Sequence, residues 1–503
     1  MEPLLSQLEG IHSAGHVLVC SETEALTLSC LAERSRALSA LTERLGLRVV
    51  ALHMDNRPDW LVIDLACQLA SVCLVPLPTF FSEEQLRHVL DVIPVDGIFT
   101  DRPDLVAPWC AGRIRPTPEL AVGAFELLRL DPPPDAGALP DGTGKVTFTS
   151  GSTGRPKGVC LGNAQLLAQA AVLAAAADLD RPRHLCLLPL STLLENIAGL
   201  YAPLLAGGEV MIPTLAEVGF EGSSTLNPQV LLNLITRHRP NSLILTPQLL
   251  QILVAAARNG WMPPSELRFV AVGGAKVPGG LLEAAHALGI PAFEGYGLSE
   301  CASVVSLNLP GSNRPGSCGK PLPHLQVEIV NGEICVSGNA MLGYAGEPPS
   351  WGQGRIASGD LGYLDDDGFL VINGRRKNLL ISSFGRNISP EWVESEALAS
   401  GTLAECVVFG DARPFCVALI SPRDPEACDE EIQHSIDRSN MRLPDYARIR
   451  RWFRLPSRLA DCAQMVTQNG RPRRQAIAAR FDETLDGLYC GHSLTDGPFA
   501  RTA

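Results

Sequence analysis

A chain of 503 residues is longer than one ordinary domain, so we expect two or more. Its residues are 46% hydrophobic and 19% charged, which is typical of a globular protein with a large core. The net charge of −13 argues against nucleic acid or an anionic membrane as the main partner.

The beginning of the chain and its apolar runs predict the compartment. Residues 1–15 have no basic region followed by an apolar run, so we expect no signal peptide and a cytoplasmic protein. The longest apolar run, 166–179, is too short to span a bilayer and favours a buried helix. The fifteen cysteines form no CxxC pair and have no zinc-site spacing, which indicates buried thiols.

The first part of the chain alternates helix and strand patterns. Helices are predicted at 26–45, 58–71 and 82–92, the last with Ser82 as N-cap and Gln85 at N3. Strands are predicted at 48–53, 72–76 and 97–100. This rhythm predicts parallel sheets covered by helices on both faces.

A second series of βα units follows the three prolines at 132–134. Strands are predicted at 146–149, 185–189, 242–246 and 269–273, and helices at 227–237, 247–258 and 281–288. From about 316, alternating segments at 325–330, 332–337 and 369–373 predict a small antiparallel β region. Further strands and helices are expected from 379 to about 485.

We therefore predict an α/β protein with a large N-terminal domain and a small mobile α+β C-terminal domain. The N-terminal domain, 1–376, would contain two βα sheets and the small β region. The C-terminal domain would span 377–490, and 491–503, which has little apolar content, would be a flexible tail.

The most informative motif is the Gly-rich loop that follows the strand at 146–149. Glycines allow the backbone to wrap an anion, and N–H and hydroxyl groups can then point at phosphate oxygens. Gly158 follows the loop lysine and Pro156 lies inside the loop, so it is not a Walker A motif. The alternative is a Gly/Ser-rich surface turn. The predicted phosphate contacts are Thr149, Ser150, Gly151, Ser152, Thr153, Gly154 and Lys157.

Two further motifs follow predicted strands. Gly274 and Ala275 are small enough for a flat ring to lie against the backbone, although a tight βα turn would look the same. In the Gly-rich turn expected at 293–300, Tyr296 can stack on a purine and Ser299 can bond a phosphate. Glu300 can hold Mg²⁺ through its hard oxygens.

Three weaker motifs complete the set. Asp360, on a turn expected at 358–362, suits the two hydroxyls of a ribose, but Asp-containing turns are common. The basic stretch 373–378 and the loop at 383–391 suggest a mobile junction, or else a solvated linker. The segment 188–196 reads as a ligand-binding turn or as a helix N-cap formed by Ser191 or Thr192.

In this order, the motifs resemble those of the adenylate-forming superfamily of acyl-CoA synthetases, peptide-synthetase adenylation domains and luciferases. The resemblance runs from about 26 to about 480. It implies that a carboxylate attacks the α-phosphate of ATP and gives acyl-AMP and pyrophosphate. It further implies that the C-terminal domain then rotates and that a thiol, of CoA or of a carrier protein's phosphopantetheine, takes the acyl group.

The resemblance also implies roles for individual residues. The loop 150–157 would hold the β- and γ-phosphates, and Ser299 would touch the α-phosphate. Gly274, Ala275 and Tyr296 would line the adenine. The remaining implied roles are nucleotide binding by Glu294, Gly295 and Gly297, Mg²⁺ binding by Glu300, ribose binding by Asp360 and Arg375, and the hinge at Lys377.

The sequence departs from the family pattern at two positions. Arg471 stands where the family has a lysine that reaches the reacting carboxylate. Arginine keeps the charge, but its planar fork differs from a point charge. Thr192 stands where many acyl-CoA synthetases have a histidine or an aromatic residue that gates the acyl pocket.

Three functions are consistent with this pattern. The low aromatic content and the segment 374–391 favour an acyl-CoA synthetase for an aliphatic acid, with Arg471, Lys157, Ser299 and Glu300 as its catalytic residues. A second hypothesis is an adenylating enzyme that passes the acyl group to a carrier protein in trans or to an amine. A third, based on Arg471, is a degenerate homologue that binds nucleotide without turnover.

Overall fold

The computed structural model describes residues 2–490 except 111, 116–120, 123, 134, 150–155, 222–224, 384–385, 463 and 468–470. The helices of the first 300 residues are α1 Leu4–Ile11, α2 Leu28–Leu45, α3 Pro58–Leu69, α4 Glu83–Val92, α5 Pro103–Val106, α6 Asn163–Ala177, α7 Ala202–Leu205, α8 Leu215–Val218, α9 Pro228–His238, α10 Pro247–Arg258 and α11 Gly279–Ala287. Those of the C-terminal part are α12 Pro390–Leu398, α13 Asp429–Asn440, α14 Arg474–Arg480 and α15 Asp482–Cys490.

The strands up to residue 298 are β1 Val17–Cys20, β2 Ala25–Thr27, β3 Val49–His53, β4 Cys73–Pro76, β5 Gly97–Thr100, β6 Ala121–Val122, β7 Phe125–Arg129, β8 Lys145–Thr149, β9 Lys157–Leu161, β10 Arg183–Leu185, β11 Glu209–Met211, β12 Phe220–Glu221, β13 Thr225–Leu226, β14 Ser242–Leu245, β15 Phe269–Val272 and β16 Ala292–Leu298. The later strands are β17 Ser303–Leu307, β18 Lys320–Pro321, β19 Gln326–Val330, β20 Glu333–Ser337, β21 Gly343–Tyr344, β22 Arg355–Leu364, β23 Leu370–Arg375, β24 Leu380–Ile381, β25 Asn387–Ile388, β26 Leu403–Phe409, β27 Cys416–Pro422 and β28 Ile449–Arg454.

Two large sheets form the N-terminal part, as the βα rhythm predicts. One has the order β18-β17-β16-β15-β14-β10-β11-β1-β2, and the other β21-β9-β8-β4-β3-β5-β7-β6. Their central pairs are parallel, and antiparallel strands lie at the edges. The predicted α/β fold, with a large N-terminal and a smaller C-terminal domain, is confirmed.

Local sequence signals explain where several helices begin. Ser82 and Gln85 form a reciprocal capping box at the start of α4, as predicted. The hydroxyl of Thr246 caps α10, and Pro247 occupies its first turn, where a missing N–H costs nothing. Among the described residues, no helix is both long enough and apolar enough to cross a bilayer.

The second half contains two smaller sheets. The order β19-β20-β22-β23 gives the antiparallel region predicted from the alternating segments. The C-terminal part holds the sheet β26-β27-β28, and its own apolar clusters draw only on residues between 380 and 489.

The strand expected at 185–189 is wrong, because β10 ends at Leu185. Beyond Cys186, the chain leaves the ladder and is held by one buried amide side chain instead. Asn56 donates to the carbonyl of Leu188 and accepts from the N–H of Leu190.

The turns expected at 293–300 and 358–362 are also wrong, since both stretches lie mainly in strands. Gly297 allows β16 to pair closely with β17, because a Cβ there would lie 1.7 Å from the Ser303 carbonyl oxygen. In β22, Gly359 has a φ of +74° at a ladder irregularity, which keeps Asp360 within the sheet. The glycines therefore mark close strand contacts and a bulge rather than chain reversals.

Candidate active site

The two residues that flank the Gly-rich loop lie side by side. Thr149, at the end of β8, pairs with Lys157, at the start of β9. The loop residues Ser150, Gly151, Ser152, Thr153 and Gly154 lie outside the described residues. The Lys157 ammonium contacts the Glu347 carboxylate at 2.9 Å and lies 4.8 Å from the ring centroid of Tyr344.

Tyr344 connects this lysine to the predicted Mg²⁺ ligand. Its hydroxyl donates to Glu300 Oε1 at 2.8 Å, and burial together with Glu300 raises the tyrosine pKa, which keeps this donor protonated. Glu300 and the half-buried Ser299 lie in the 3₁₀ turn that follows β16. Lys157 and the predicted metal ligand Glu300 thus belong to one connected cluster.

The predicted ribose-binding residues form a second cluster. The buried carboxylate of Asp360 accepts from the hydroxyl of Tyr296 at 2.7 Å and from Nε of Arg375 at 2.8 Å. Burial, and then Asp360, raise the pKa of Tyr296. These two donors fix the orientation of the Asp360 carboxylate. The Arg375 side chain itself remains half exposed.

Arg471 joins this second cluster from the C-terminal part of the chain. Its guanidinium donates to the carbonyl of Gly274, directly after β15, where Gly274 has a φ of +88°. Arg375, Asp360 and Glu391 interact electrostatically with the same guanidinium. The structure thus brings the substituted family position to the predicted nucleotide site.

Glu294, unlike Tyr296 and Glu300 of the same motif, belongs to neither of these two clusters. Its side chain is only 5% exposed, and its Oε1 accepts from the N–H of Val277 at 3.2 Å. Burial raises its pKa to about 7. Gly295, the next residue, packs against β17, since a Cβ there would lie 2.9 Å from Leu307 Cδ1. The carboxylate thus supports the loop after β15, which contains Ala275.

Lys377 is the residue at which the sequence predicts the hinge. It is exposed, in the 3₁₀ turn Arg376–Asn378 that follows β23. On one side of this turn, Gly374 packs so closely that a Cβ would lie 2.3 Å from Ser389 Oγ. On the other side, the amide of Asn378 donates to Glu391 at 2.5 Å.

A mainly apolar cavity lies within the N-terminal part of the protein. Its walls come from α6, β14, β15, β17 and the π-helical segment Glu195–Tyr201. Leu194 lines it and also lies within 3.8 Å of the position that a Cβ on Gly273 would take. The cavity therefore begins next to the predicted adenine-binding loop. Thr192, the expected gate, is not among its lining residues.

The cavity also meets a polar group that the sequence patterns do not predict. His184 and Ser242 line it, and His184 bonds Ser242 Oγ at 2.9 Å and Glu195 Oε1 at 3.0 Å. Ligand atoms of His184, Cys186 and Glu195 lie within 4.8 Å of one another, the one such group within the described residues. The sequence patterns do not reveal the contacts among His184, Ser242 and Glu195, because these residues come from β10, β14 and the π-helical segment.

Comparison with known proteins identifies related sequences along nearly the whole chain. Residues 12–345 match the family model of AMP-binding enzymes, and residues 377–493 match that of the AMP-binding enzyme C-terminal domain. The chain is similar to a long-chain-fatty-acid–CoA ligase of Mycobacterium bovis, at 25% identity over 90% of this chain and 89% of the relative. It is also similar to a 2-succinylbenzoate–CoA ligase of Bacillus velezensis, at 30% identity over 72% and 75%.

A solved structure supports the fold. The anthranilate–CoA ligase structure with bound anthranoyl-AMP superposes with a TM-score of 0.80 at 18% identity, covering 96% of this chain and 98% of that one. Its likeness extends over both the large and the small domain.

Proposed function

The chain belongs to the AMP-binding enzyme family, and on this basis we propose that it activates an apolar carboxylic acid with ATP and transfers the acyl group to CoA. In the first half-reaction, a carboxylate oxygen attacks the α-phosphorus, the bond to the bridging oxygen of the β-phosphate breaks, and pyrophosphate leaves. In the second, the thiol sulfur bonds to the acyl carbon and AMP leaves with the former carboxylate oxygen.

One observation carries this proposal: residues from both domains converge on the ends of β15 and β16. Arg471 reaches Gly274 beside the Asp360–Arg375 pair, and Lys157 connects through Tyr344 to Glu300 in the turn that follows β16. A phosphoryl transfer needs oriented groups and charge neutralisation more than a protein nucleophile. Arg375, Arg471 and Lys157 supply positive charge. The carboxylates of Asp360 and Glu300 would orient the ribose and the cation.

The residues present fit the implied nucleotide and cation. Asp360 has a carboxylate that two donors already orient, which suits a ribose diol. Glu300 offers hard oxygens, and a carboxylate that accepts one bond from Tyr344 keeps further lone pairs for a cation. Mg²⁺ bound there would neutralise phosphate charge. Lys157 would exchange Glu347 for phosphate oxygens as the nucleotide binds.

The cavity supports an apolar acyl group. Its described lining is mainly aliphatic, and Phe269 contributes the one phenyl ring. The relatives named above include ligases for fatty and for aromatic acids, so the aliphatic class predicted from the sequence stays part of this proposal. CoA is the preferred acceptor, because both named relatives are CoA ligases.

We further propose the domain division 1–376 and 377–490, with Lys377 as the hinge between two half-reactions. The separate apolar clusters of the C-terminal part support an independent body. Lys377→Pro restricts the backbone φ at this position. We expect it to slow transfer from supplied acyl-AMP to CoA more than it slows pyrophosphate release.

The test is pyrophosphate release from Mg·ATP with a panel of fatty, aryl and amino acids, with and without CoA. We expect release with apolar acids and acyl-CoA formation when CoA is present. Pyrophosphate release that yields no acyl-CoA, and no acylated carrier protein or amine when either is supplied as an alternative acceptor, would contradict the transfer step. Tight nucleotide binding without pyrophosphate from any acid would support the degenerate homologue instead.

A further inference from the structure

The cavity wall runs along two parallel strands away from the nucleotide site. In β14, Ser242 and Ile244 line it, and in β15, Phe269 and Ala271 line it. Four residue steps separate Gly273 from Phe269, which corresponds to roughly 13 Å along the strand. Ser242 pairs with Phe269, so it lies at the end of the cavity distant from the adenine-binding loop.

At this distant end, the wall becomes polar. His184 pairs with Ser242 across β10 and β14, and both side chains are more than nine-tenths buried. Glu195, which is fully buried, holds the other side of the imidazole at 3.0 Å. The arrangement requires Gly199, since a Cβ there would lie 2.5 Å from Glu195 Oε1 and 2.8 Å from His184 Nε2.

The Ser242 hydroxyl can form a further hydrogen bond besides the one to His184. When Glu195 is ionised, its carboxylate only accepts, and His184 Nε2 then carries the hydrogen that the two side chains share. If Nδ1 is unprotonated, the Ser242 hydroxyl donates to it, and the lone pairs on Ser242 Oγ can still accept a hydrogen bond. If Nδ1 is protonated, it donates to Ser242, and the serine hydrogen is free. Within the part of the chain that the structure describes, Ser242 Oγ has no second hydrogen-bond partner.

We propose that Ser242, oriented by His184 and Glu195, binds a hydroxyl group at the distal end of the acyl substrate. The inference rests on the proposed function, because it assumes that the cavity holds the acyl group. A hydroxyl both donates and accepts, so it matches Ser242 in either protonation state of the imidazole. A terminal methyl group would leave the remaining hydrogen-bonding capacity of the buried Ser242 hydroxyl unsatisfied, which costs binding free energy. Ser242 is thus a specificity-determining residue.

The test compares pairs of acids that differ only by a distal hydroxyl: ω-hydroxyalkanoates with alkanoates of increasing length, and hydroxyaryl acids with aryl acids. The readout is pyrophosphate release from Mg·ATP as a function of acid concentration. For one length or ring size, we expect kcat/KM to favour the hydroxylated acid by at least about tenfold. Ser242→Ala should remove this preference mainly through KM, and Ser242→Thr should retain part of it.

Ser35→Ala is the matched control, because Ser35 is a fully buried serine of α2 that has no hydrogen-bond partner among the described residues and lies outside the cavity. It should leave the preference unchanged. A preference for unsubstituted acids throughout the panel, or an unchanged ratio in Ser242→Ala, would overturn the inference while leaving the ligase function intact. Absence of pyrophosphate release with every acid would instead overturn the proposed function and this inference with it.

Discussion

At the scale of single residues, Lys157 shows which contact a predicted phosphate-binding group makes within the protein. Its ammonium is 2.9 Å from Glu347, and both side chains are almost half exposed. An exposed ion pair contributes only about 0–1 kcal/mol, whereas triphosphate oxygens offer a much larger charge. The Glu347 contact is therefore weak enough for the nucleotide to displace.

Substitutions on the two sides of this pair should have opposite effects. Lys157→Met removes the charge, and we expect kcat/KM for ATP to fall roughly 10–100-fold. Glu347→Gln removes only the competitor, so KM for ATP should fall by a factor of about two to five. Steady-state pyrophosphate release at varied ATP measures both. Glu83→Gln, which breaks the exposed pair with Arg87, is the control. A higher KM in Glu347→Gln would contradict the competition.

Glu294 is a second residue whose surroundings change its chemistry. Burial raises its pKa from the ordinary value of 4.5 to about 7, and Val277 donates to the same side chain. The folded protein therefore binds a proton that the unfolded chain releases between these pH values. The contribution of Glu294 to the free energy of unfolding is complete below pH 4.5 and is lost as the pH rises through about 7.

Glu294→Gln should remove this part of the pH dependence. The amide stays neutral, so the variant should gain about 3 kcal/mol relative to the wild type between pH 4.5 and pH 8. Thermal unfolding across this range measures the difference. Glu84→Gln, at an exposed position of α4, is the control. A stability difference that does not change with pH would show that the carboxyl is ionised throughout.

At the scale of elements, a buried ion pair connects β8, the strand before the Gly-rich loop, to α3 and to the π-helical segment beside the cavity. Lys145, at the start of β8, contacts Asp64 of α3 at 2.9 Å and Asn196 of the π-helical segment at 2.7 Å. Tyr201 donates to the same carboxylate, and the Lys145 ammonium lies 5.1 Å from its ring centroid. Lys145 and Asp64 are each 1% exposed, so both charges depend on their partners.

Lys145→Met should therefore be strongly destabilising, by about 3–5 kcal/mol, because Asp64 would remain buried without its cation. The double variant Lys145→Met/Asp64→Leu should lose less than the sum of the two single variants. Chemical unfolding of all four proteins closes this cycle. Arg87→Met, in an exposed pair of α4, should cost less than about 1 kcal/mol. Additive losses would contradict the coupling.

At the scale of the whole molecule, the two domains meet over the predicted nucleotide site. Arg471 donates to Gly274, and Arg423 bonds Gln251 at 3.2 Å. The first contact lies at the predicted site, whereas the second lies on the outer helix α10. Under the proposed function, we assign this arrangement to the first half-reaction, because Arg471 then lies at the predicted nucleotide site.

Arg471→Ala should accordingly reduce adenylation far more than transfer. We expect pyrophosphate release to fall by about 100-fold, the size of a lost transition-state donor, with a much smaller change in transfer from supplied acyl-AMP to CoA. Single-turnover assays of the two half-reactions separate these rates. Arg480→Ala, an exposed arginine of α14, is the control. Equal losses in both half-reactions, or no loss in either, would refute this role.

Most of the helices and strands, and the set of motifs, follow from local sequence signals. Capping residues, helical periodicity and apolar runs act locally, so α4, α10 and β5 follow from their own residues. The ordered motifs likewise led to the family, because each one is a short contiguous stretch. The local interpretation failed in β16 and β22, because a glycine permits a turn and a close strand contact alike, and the strand pairing decides between the two.

The grouping of side chains into shared sites depends instead on how distant parts of the chain pack together. His184 and Ser242 are 58 residues apart, and Lys145 and Asp64 are 81 residues apart. No local periodicity specifies such pairs, because parallel strands become neighbours only after long crossover connections. The polar end of the cavity and the docking of Arg471 on Gly274 arise in the same way. They depend on how sheets and domains pack, and that packing sums contacts over the whole chain.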